Sequence, residues 1–140
     1  MMTSRSVPAT LLFLLGACGG GTQYTTLTAS PAAGPAAVID CVRSQFGKLD
    51  YQQIAYDVRD HRVVAKRTDT TVNRADPQFL RLINQIEAQA TTEASGTGLR
   101  IIAHTIGQYS THRGPTDMEE KASPQVKQDA ETLMQACGKP

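Results

Sequence analysis

Residues 54–67 read IAYDVRDHRVVAKR, and this stretch decides the fold class because the chain changes here from a helical to an extended pattern. In its first half, apolar side chains stand at every second position, which is the period of a strand with one face buried. Asp60 and His61 then supply a turn, and the apolar run 63–65 begins a second strand. The stretch therefore predicts a β-hairpin.

A further strand is predicted for residues 99–109, where apolar side chains follow the glycine-containing turn 95–98. Its hairpin partner should be residues 79–90, but their pattern fits two structures. Asp76 and Pro77 are typical of a helix start, and the apolar residues that follow roughly fit a helical face. We favour a strand, because residues 99–109 would otherwise have no partner.

Two helices are predicted, one on each side of these strands in the sequence. The first covers residues 35–47, with Pro35 suited to a first turn and Gly47 to a helix end. Its apolar side chains repeat on one face at helical spacing, namely Val38, Cys41, Val42, Phe46 and Leu49. The second begins with Ser123 as a cap and Pro124 in the first turn. Its stripe and its stop signal are Val126, Ala130, Leu133, Cys137 and Gly138.

Together these elements predict a single α+β domain over residues 36–140. We expect a small antiparallel sheet of about four strands, with the N-terminal and the C-terminal helix both covering one of its faces. The length of 140 residues suits one domain. Lys and Arg number 14 against 13 Asp and Glu, so the chain lacks the positive charge typical of nucleic-acid-binding proteins.

The first 17 residues, MMTSRSVPATLLFLLGA, have the layout of a secretory signal peptide. A polar start carries one cation, Arg5, and the apolar run 9–15 follows and ends in small residues. A permanent membrane span needs about 20 apolar residues, so this run is too short for one. The segment 1–17 is therefore predicted to direct export and then to be removed.

The four residues Leu15, Gly16, Ala17 and Cys18 resemble the lipobox of bacterial lipoproteins. The resemblance implies that the Cys18 thiol carries a diacylglycerol, that cleavage falls between Ala17 and Cys18, and that a fatty acid such as palmitate is added to the new amino group. Gly19 stands where aspartate would favour the inner membrane, so the resemblance implies the outer membrane, facing the periplasm. The alternative is ordinary signal cleavage, with Cys18 free or paired.

Between the lipobox and the first helix, residues 18–35 are predicted to form the lipidated cysteine and a flexible tether. The segment 19–35 reads GGGTQYTTLTASPAAGP and contains no charge. Such a composition buries little apolar surface. We therefore expect the folded domain to begin at residue 36.

The two remaining cysteines, Cys41 and Cys137, are predicted to form a disulfide. Each lies on the apolar stripe of its own helix, and an exported protein matures in an oxidising compartment. Two buried free thiols, or a metal or redox pair, are the alternatives. The arrangement is similar to that of small cell-envelope lipoproteins with a two-cysteine α/β domain, a resemblance that implies no activity.

A search for catalytic or metal-binding groups finds no constellation that supports an enzyme. His61 belongs to the predicted turn, and His104 and His112 are eight residues apart on one strand, too far to share a metal ion. Ser110 and Ser123 lack the sequence context of a nucleophile. No cofactor and no metal are therefore expected.

One cluster of cations is a candidate surface for an acidic partner. Five of them occur within sixteen residues, namely Arg59, Arg62, Lys66, Arg67 and Arg74. They could contact an envelope protein, an anionic polymer or lipid headgroups. Alternatively, they protect a sheet edge from pairing with another chain.

The sequence thus predicts a lipid-anchored cell-envelope protein of a non-enzymatic binding or scaffolding type. It would be held in the membrane by acyl chains on Cys18. One alternative is a periplasmic module that binds a small ligand in a cavity between sheet and helices. Another is an envelope hydrolase, which would require a cleft containing perturbed carboxylates or a Ser–His contact.

Overall fold

The computed structural model describes residues 23–140, which form one sheet and two helices in a single α+β unit. The strands and helices, in chain order, are β1 (Thr25–Ala29), α1 (Pro35–Lys48), β2 (Gln52–Asp57), β3 (Arg62–Asp69), β4 (Phe79–Glu93), β5 (Gly96–Thr111), β6 (Gly114–Glu120) and α2 (Pro124–Cys137). The predicted signal peptide, its cleavage site and Cys18 lie outside the described residues.

All strand pairs are antiparallel, and the order across the sheet is β1-β5-β4-β3-β2. Strand β6 also pairs with β5, so β5 has two partners on the edge that faces away from β4. Strand β1 lies opposite residues 99–103, and β6 lies opposite residues 105–111. The two short strands therefore run end to end, and the Ala122 amide joins them by donating to the Gln23 carbonyl at 2.6 Å.

The expectation of about four strands was wrong, because β1 and β6 were both missed. Strand β1 falls inside the segment 18–35 that the sequence analysis assigned to a tether, and the domain begins there rather than at residue 36. Its sequence, TTLTA, is short and uncharged, but β-branched threonines suit a pleated surface. Backbone pairing with β5 orders this segment, although its composition predicted a flexible tether.

Strand β6 was missed because its sequence, GPTDMEE, reads as a charged loop. All but its first and last residues are exposed, so it shows no alternation of apolar and polar side chains. A two-residue turn, His112 and Arg113, aligns β6 with β5, and Gly114 has a φ of 104° that favours glycine. Local turn geometry therefore defines this strand more than its hydrophobic pattern does.

The ambiguous segment 79–90 is a strand, as favoured, and it pairs with β5 along nearly its whole length. The hairpin predicted from residues 54–67 is confirmed as β2 and β3. Its turn contains His61, which has a φ of 44°. Both predicted helices are also present. Helix α1 continues through Gly47 to Lys48, and the chain turns at Asp50, which has a φ of 60°.

The core lies between one face of the sheet and both helices, as expected. Its fully buried side chains include Ile39, Val42 and Phe46 from α1, Val126 and Leu133 from α2, and Val63, Ile86, Leu99 and Ile101 from the sheet. Because successive strand residues point to opposite faces, the neighbours of these sheet residues form the other face. Neither α1 nor α2, the two helices that the structure describes, packs on that face.

The predicted disulfide is confirmed. Cys41 in α1 and Cys137 at the end of α2 are bonded, with their Cα atoms 5.7 Å apart. The bond joins the middle of the first helix to the last turn of the second, as expected from the apolar helix faces on which the two cysteines lie. It closes a covalent loop that contains every strand except β1.

Removing this bond is expected to destabilise the domain strongly, because a loop of this length costs much entropy to close in the unfolded chain. Reduction, or the change Cys41→Ser, should lower the free energy of unfolding by about 2–5 kcal/mol. Urea unfolding with and without reductant measures the change. Cys137→Ser is the matched control and should lose as much. Identical wild-type curves in both conditions would contradict the prediction.

Candidate functional site

The first turn of α2 lies over a buried polar network that connects it to the centre of the sheet. The Ser123 hydroxyl accepts from the Val126 amide at 3.1 Å and donates to Asn84 Oδ1 at 3.0 Å. The Thr105 hydroxyl also donates to Asn84 Oδ1, at 2.9 Å, and it accepts from the Ser123 amide. Asn84 is fully buried, and its Nδ2 has no hydrogen-bond partner among the described residues.

Beside this network, Arg74 and Glu120 form a bidentate ion pair. Arg74 donates to the two carboxylate oxygens at 2.7 and 2.6 Å, and the Tyr109 hydroxyl donates to the same carboxylate at 2.8 Å. The Arg74 guanidinium also lies over the Phe79 ring, 4.6 Å from its centroid. Glu120 occupies the space above Gly107, where any Cβ atom would overlap the carboxylate.

These contacts perturb the titration of the groups involved. Hydrogen bonds from Arg74 hold the pKa of Glu120 below its ordinary value. The hydrogen bond to Glu120 raises the pKa of Arg74 and of the Tyr109 hydroxyl. The pair is therefore ionised at neutral pH, so one arginine and one glutamate cancel each other's charge.

The ion pair forms one wall of a cavity of about 370 Å³, which we call the α2 cleft. The residues that line it and that concern its chemistry are Arg74, Leu82, Thr105, Lys121, Ser123 and Lys127. Lys121 is exposed and Lys127 is half-buried. Within residues 23–140, no carboxylate forms a salt bridge with either lysine. The cleft thus carries two positive charges that the fold does not neutralise.

A second buried network lies on the other side of α2 and has a structural role. Asp129, which is 3% exposed, accepts from the Tyr51 hydroxyl and from Arg67, each at 2.8 Å. Arg67 also donates to the Leu49 carbonyl at 2.8 Å, so it connects β3, the end of α1 and α2. Burial and the bond to Asp129 raise the pKa of Tyr51. Among the described residues, no fully buried side-chain nitrogen or oxygen atom of this network lacks a hydrogen-bond partner.

The five cations of the predicted basic cluster do not form one surface. Arg67 and Arg74 are used internally, as described. Arg62 forms a bidentate pair with Glu87 on the uncovered face of the sheet, at 2.7 and 2.8 Å. Arg59 lies in the turn after β2, and Lys66 is exposed on β3. The hairpin thus distributes these residues over different surfaces, because successive strand positions alternate between faces.

The histidines and serines are also separated. His61 and His112 occupy different turns, and His104 contacts Glu119 at 2.6 Å on the uncovered face. Ser110 is exposed near the end of β5, and Ser123 caps α2. Among residues 23–140, no three His, Cys, Asp or Glu side chains are close enough together to hold a metal ion.

Within residues 23–140, β2 forms one free edge of the sheet and its six residues are all exposed, while β1 and β6 form the opposite edge. Ile54 and Tyr56 on this strand and Val58 just beyond it are 47%, 37% and 63% exposed, although all three are apolar or aromatic. Ile54 sits at a β-bulge. An edge of this kind presents backbone donors and acceptors together with apolar side chains.

Sequence reasoning missed the α2 cleft because its parts come from distant strands. Glu120 and Lys121 lie in a charged stretch that shows no strand pattern, and Asn84 belongs to the ambiguous segment 79–90. One signal was available for the second network: Asp129 follows Val126 by three positions, so it falls on the buried stripe of α2. A carboxylate at such a position requires a partner.

Comparisons with known proteins leave the chain without a family: no family model matches it, and no curated protein matches it either. In the part of the chain that the structure describes, neither helix is both long and apolar enough to cross a membrane.

The Arg74–Glu120 pair should make stability depend on acid pH. Since the pKa of Glu120 is lowered on folding, its contribution is present above the unfolded value of about 4.3 and is lost as the pH falls through the folded value. Glu120→Gln should destabilise the domain by about 1–3 kcal/mol at neutral pH, because Arg74 loses its charged partner. The deficit should shrink below about pH 4.

Urea unfolding at a series of pH values measures this difference. Glu131→Gln is the matched control, because this glutamate is exposed on α2, and it should change stability by less than about 0.5 kcal/mol. A deficit for Glu120→Gln that is constant down to the acid end of the series would contradict the prediction.

Proposed function

We propose that this protein is exported, is anchored in a membrane by acyl chains on Cys18, and binds or scaffolds another component of the cell envelope without catalysing a reaction. The observation that carries the proposal is the Cys41–Cys137 disulfide. Disulfides persist in oxidising compartments, so the bond favours export. It also uses two of the three cysteines and leaves Cys18, the residue in the lipobox-like position.

The start of β1 supports an anchoring role for the segment before it. Thr25, where the sheet begins, is the seventh residue after Cys18. Seven residues span at most about 25 Å, so a lipid on Cys18 would keep the domain close to the membrane surface. The absence of aspartate at position 19 favours the outer membrane, with the domain on its periplasmic side.

The free β2 edge supports a binding role. Its exposed apolar side chains and unpaired backbone groups suit a partner that adds an extended strand to the sheet. In that mode the backbone hydrogen bonds supply affinity, and the side chains of Ile54, Tyr56 and Val58 would supply specificity. We therefore assign the β2 edge to a protein partner in the envelope.

The anchor is tested by the change Cys18→Ser. The variant should no longer incorporate labelled fatty acid and should leave the membrane fraction, because the acyl chains are lost. Cys41→Ser removes a different cysteine and should keep the label. A Cys18→Ser protein that stays in the membrane fraction with its label intact would refute the anchor.

The β2 edge is tested by cross-linking in intact cells, followed by purification of the anchored protein. Ile54→Lys and Val58→Lys should abolish the specific cross-linked species, because a charge replaces an apolar contact. Leu80→Lys and Met118→Lys are matched controls, since these residues are 49% and 56% exposed on other strands. The assignment fails if the β2 variants retain the species, or if the controls lose it equally.

A further inference from the structure

The α2 cleft lies directly beside the point at which the chain enters the domain. The Gln23 carbonyl accepts from the Ala122 amide, and Ala122 is flanked by Lys121 and Ser123, which line the cleft. Gln23 is the fifth residue after Cys18, and five residues reach at most about 18 Å. If Cys18 carries lipid, the mouth of the cleft therefore lies within reach of the headgroups of the same membrane.

The charge of the cleft suits an anion. Lys121 and Lys127 contribute two cations that no described carboxylate pairs with. The charge of Glu120 is balanced by Arg74, and the Tyr109 hydroxyl donates one more hydrogen bond to it. The whole chain is close to neutral, with 14 basic against 13 acidic residues. The attraction of an anion to the cleft therefore comes from these two lysines and not from a positive charge of the whole protein.

The residues at the floor of the cleft are polar, and their hydroxyl hydrogens are already used inside the fold. Thr105 and Ser123 line the cavity with side chains that already bond to Asn84 Oδ1. Asn84 is fully buried beneath them, and its Nδ2 donor lacks a partner among the described residues. Asn84 does not itself line the cleft, so the donors without an internal partner that an occupant would meet there are the ammonium groups of Lys121 and Lys127. The volume of about 370 Å³ is large enough for a headgroup.

We propose that the α2 cleft binds the phosphate of an anionic phospholipid headgroup, with Lys121 and Lys127 as its principal ligands and Arg74 as a wall of fixed geometry. The inference deepens the proposed function and rests on the anchor, which places the cleft at the membrane. Phosphate oxygens accept charge-assisted bonds from ammonium groups, and each lysine near an anionic leaflet adds about 1 kcal/mol of attraction. Acyl chains on Cys18 would hold the domain in place, and the cleft would fix which side of it faces the membrane.

The experiment separates this site from the anchor by using the full chain with Cys18→Ser, which carries no acyl group on that residue. Its sedimentation is measured with vesicles of phosphatidylcholine alone and with vesicles of equal parts phosphatidylglycerol and phosphatidylcholine. Any contribution of residues 1–17 is common to all variants in this background. The readout is therefore the preference for phosphatidylglycerol, expressed as the ratio of the two binding constants.

Lys121→Gln and Lys127→Gln should each lower this ratio about fivefold, and the double variant about 25-fold. The matched control is the pair Lys48→Gln and Lys139→Gln, which removes the same charge from exposed positions outside the cleft and should leave the ratio within twofold. Equal losses in both pairs, or no preference for phosphatidylglycerol in the parent, would overturn the proposal. Competition by inorganic phosphate at concentrations that do not affect the control would also overturn it, by assigning the cleft to a free anion.

If the anchor itself fails, the fractionation of Cys18→Ser described above shows it, whereas the vesicle ratio does not change. If the cleft fails, the anchored protein still labels with fatty acid but shows no lysine-dependent preference. Different measurements therefore detect a failure of the anchor and a failure of the cleft.

Discussion

The backbone pairing of β5 is the constraint on which the rest of the structure depends. This strand is 16 residues long and bonds to β4 on one edge and to both β1 and β6 on the other. The two-residue turn between Glu93 and Gly96 fixes the register of β5 with β4. A slip by one residue would move the core side chains of β5 to the opposite face of the sheet. Leu99, Ile101 and Ala103 lie beneath the helices because of that register. The helices, the disulfide and the cleft all depend on it.

The features of the fold that could be predicted are those whose sequence pattern lies within one short stretch of the chain. Helical spacing is local, so both helices and their facing cysteines were predicted from single stretches of sequence. Residues 54–67 alternate cleanly, and their hairpin was predicted for the same reason. β1 and β6 contain no fully buried side chain. β1 is ordered by β5, which is far away in the chain, whereas β6 follows β5 directly through a two-residue turn. Neither TTLTA nor GPTDMEE shows a clear alternation of apolar and charged side chains that would predict these pairings.

The same reason explains why the cleft was not predicted. Its charged and polar groups come from β5, β6, the loop that contains Arg74, the segment between β6 and α2, and α2 itself, and they meet because β5 aligns β4 and β6 beneath the helix. Sequence proximity suggested instead a cluster of five cations, yet alternation along β3 separates Lys66 from Arg67, and internal partners occupy Arg62, Arg67 and Arg74. Counting charges along a strand therefore overestimates the field that any one surface presents. In this fold, the lysines without partners matter more than the arginines that are more numerous.

The position of β1 outside the covalent loop has a mechanical consequence. A pull on the N-terminal end of the chain reaches the Gln23–Ala122 bond and β1 first, and only backbone hydrogen bonds and a few side chains resist it there. Once β1 detaches, the chain from Thr25 to Cys41 can span at most about 55 Å when fully extended, and the load then meets the disulfide. Beyond that point, tension passes directly from α1 to α2 through a covalent bond and bypasses the sheet. Under load, the segment before Cys41 can therefore extend, whereas the disulfide fixes the contour length between Cys41 and Cys137.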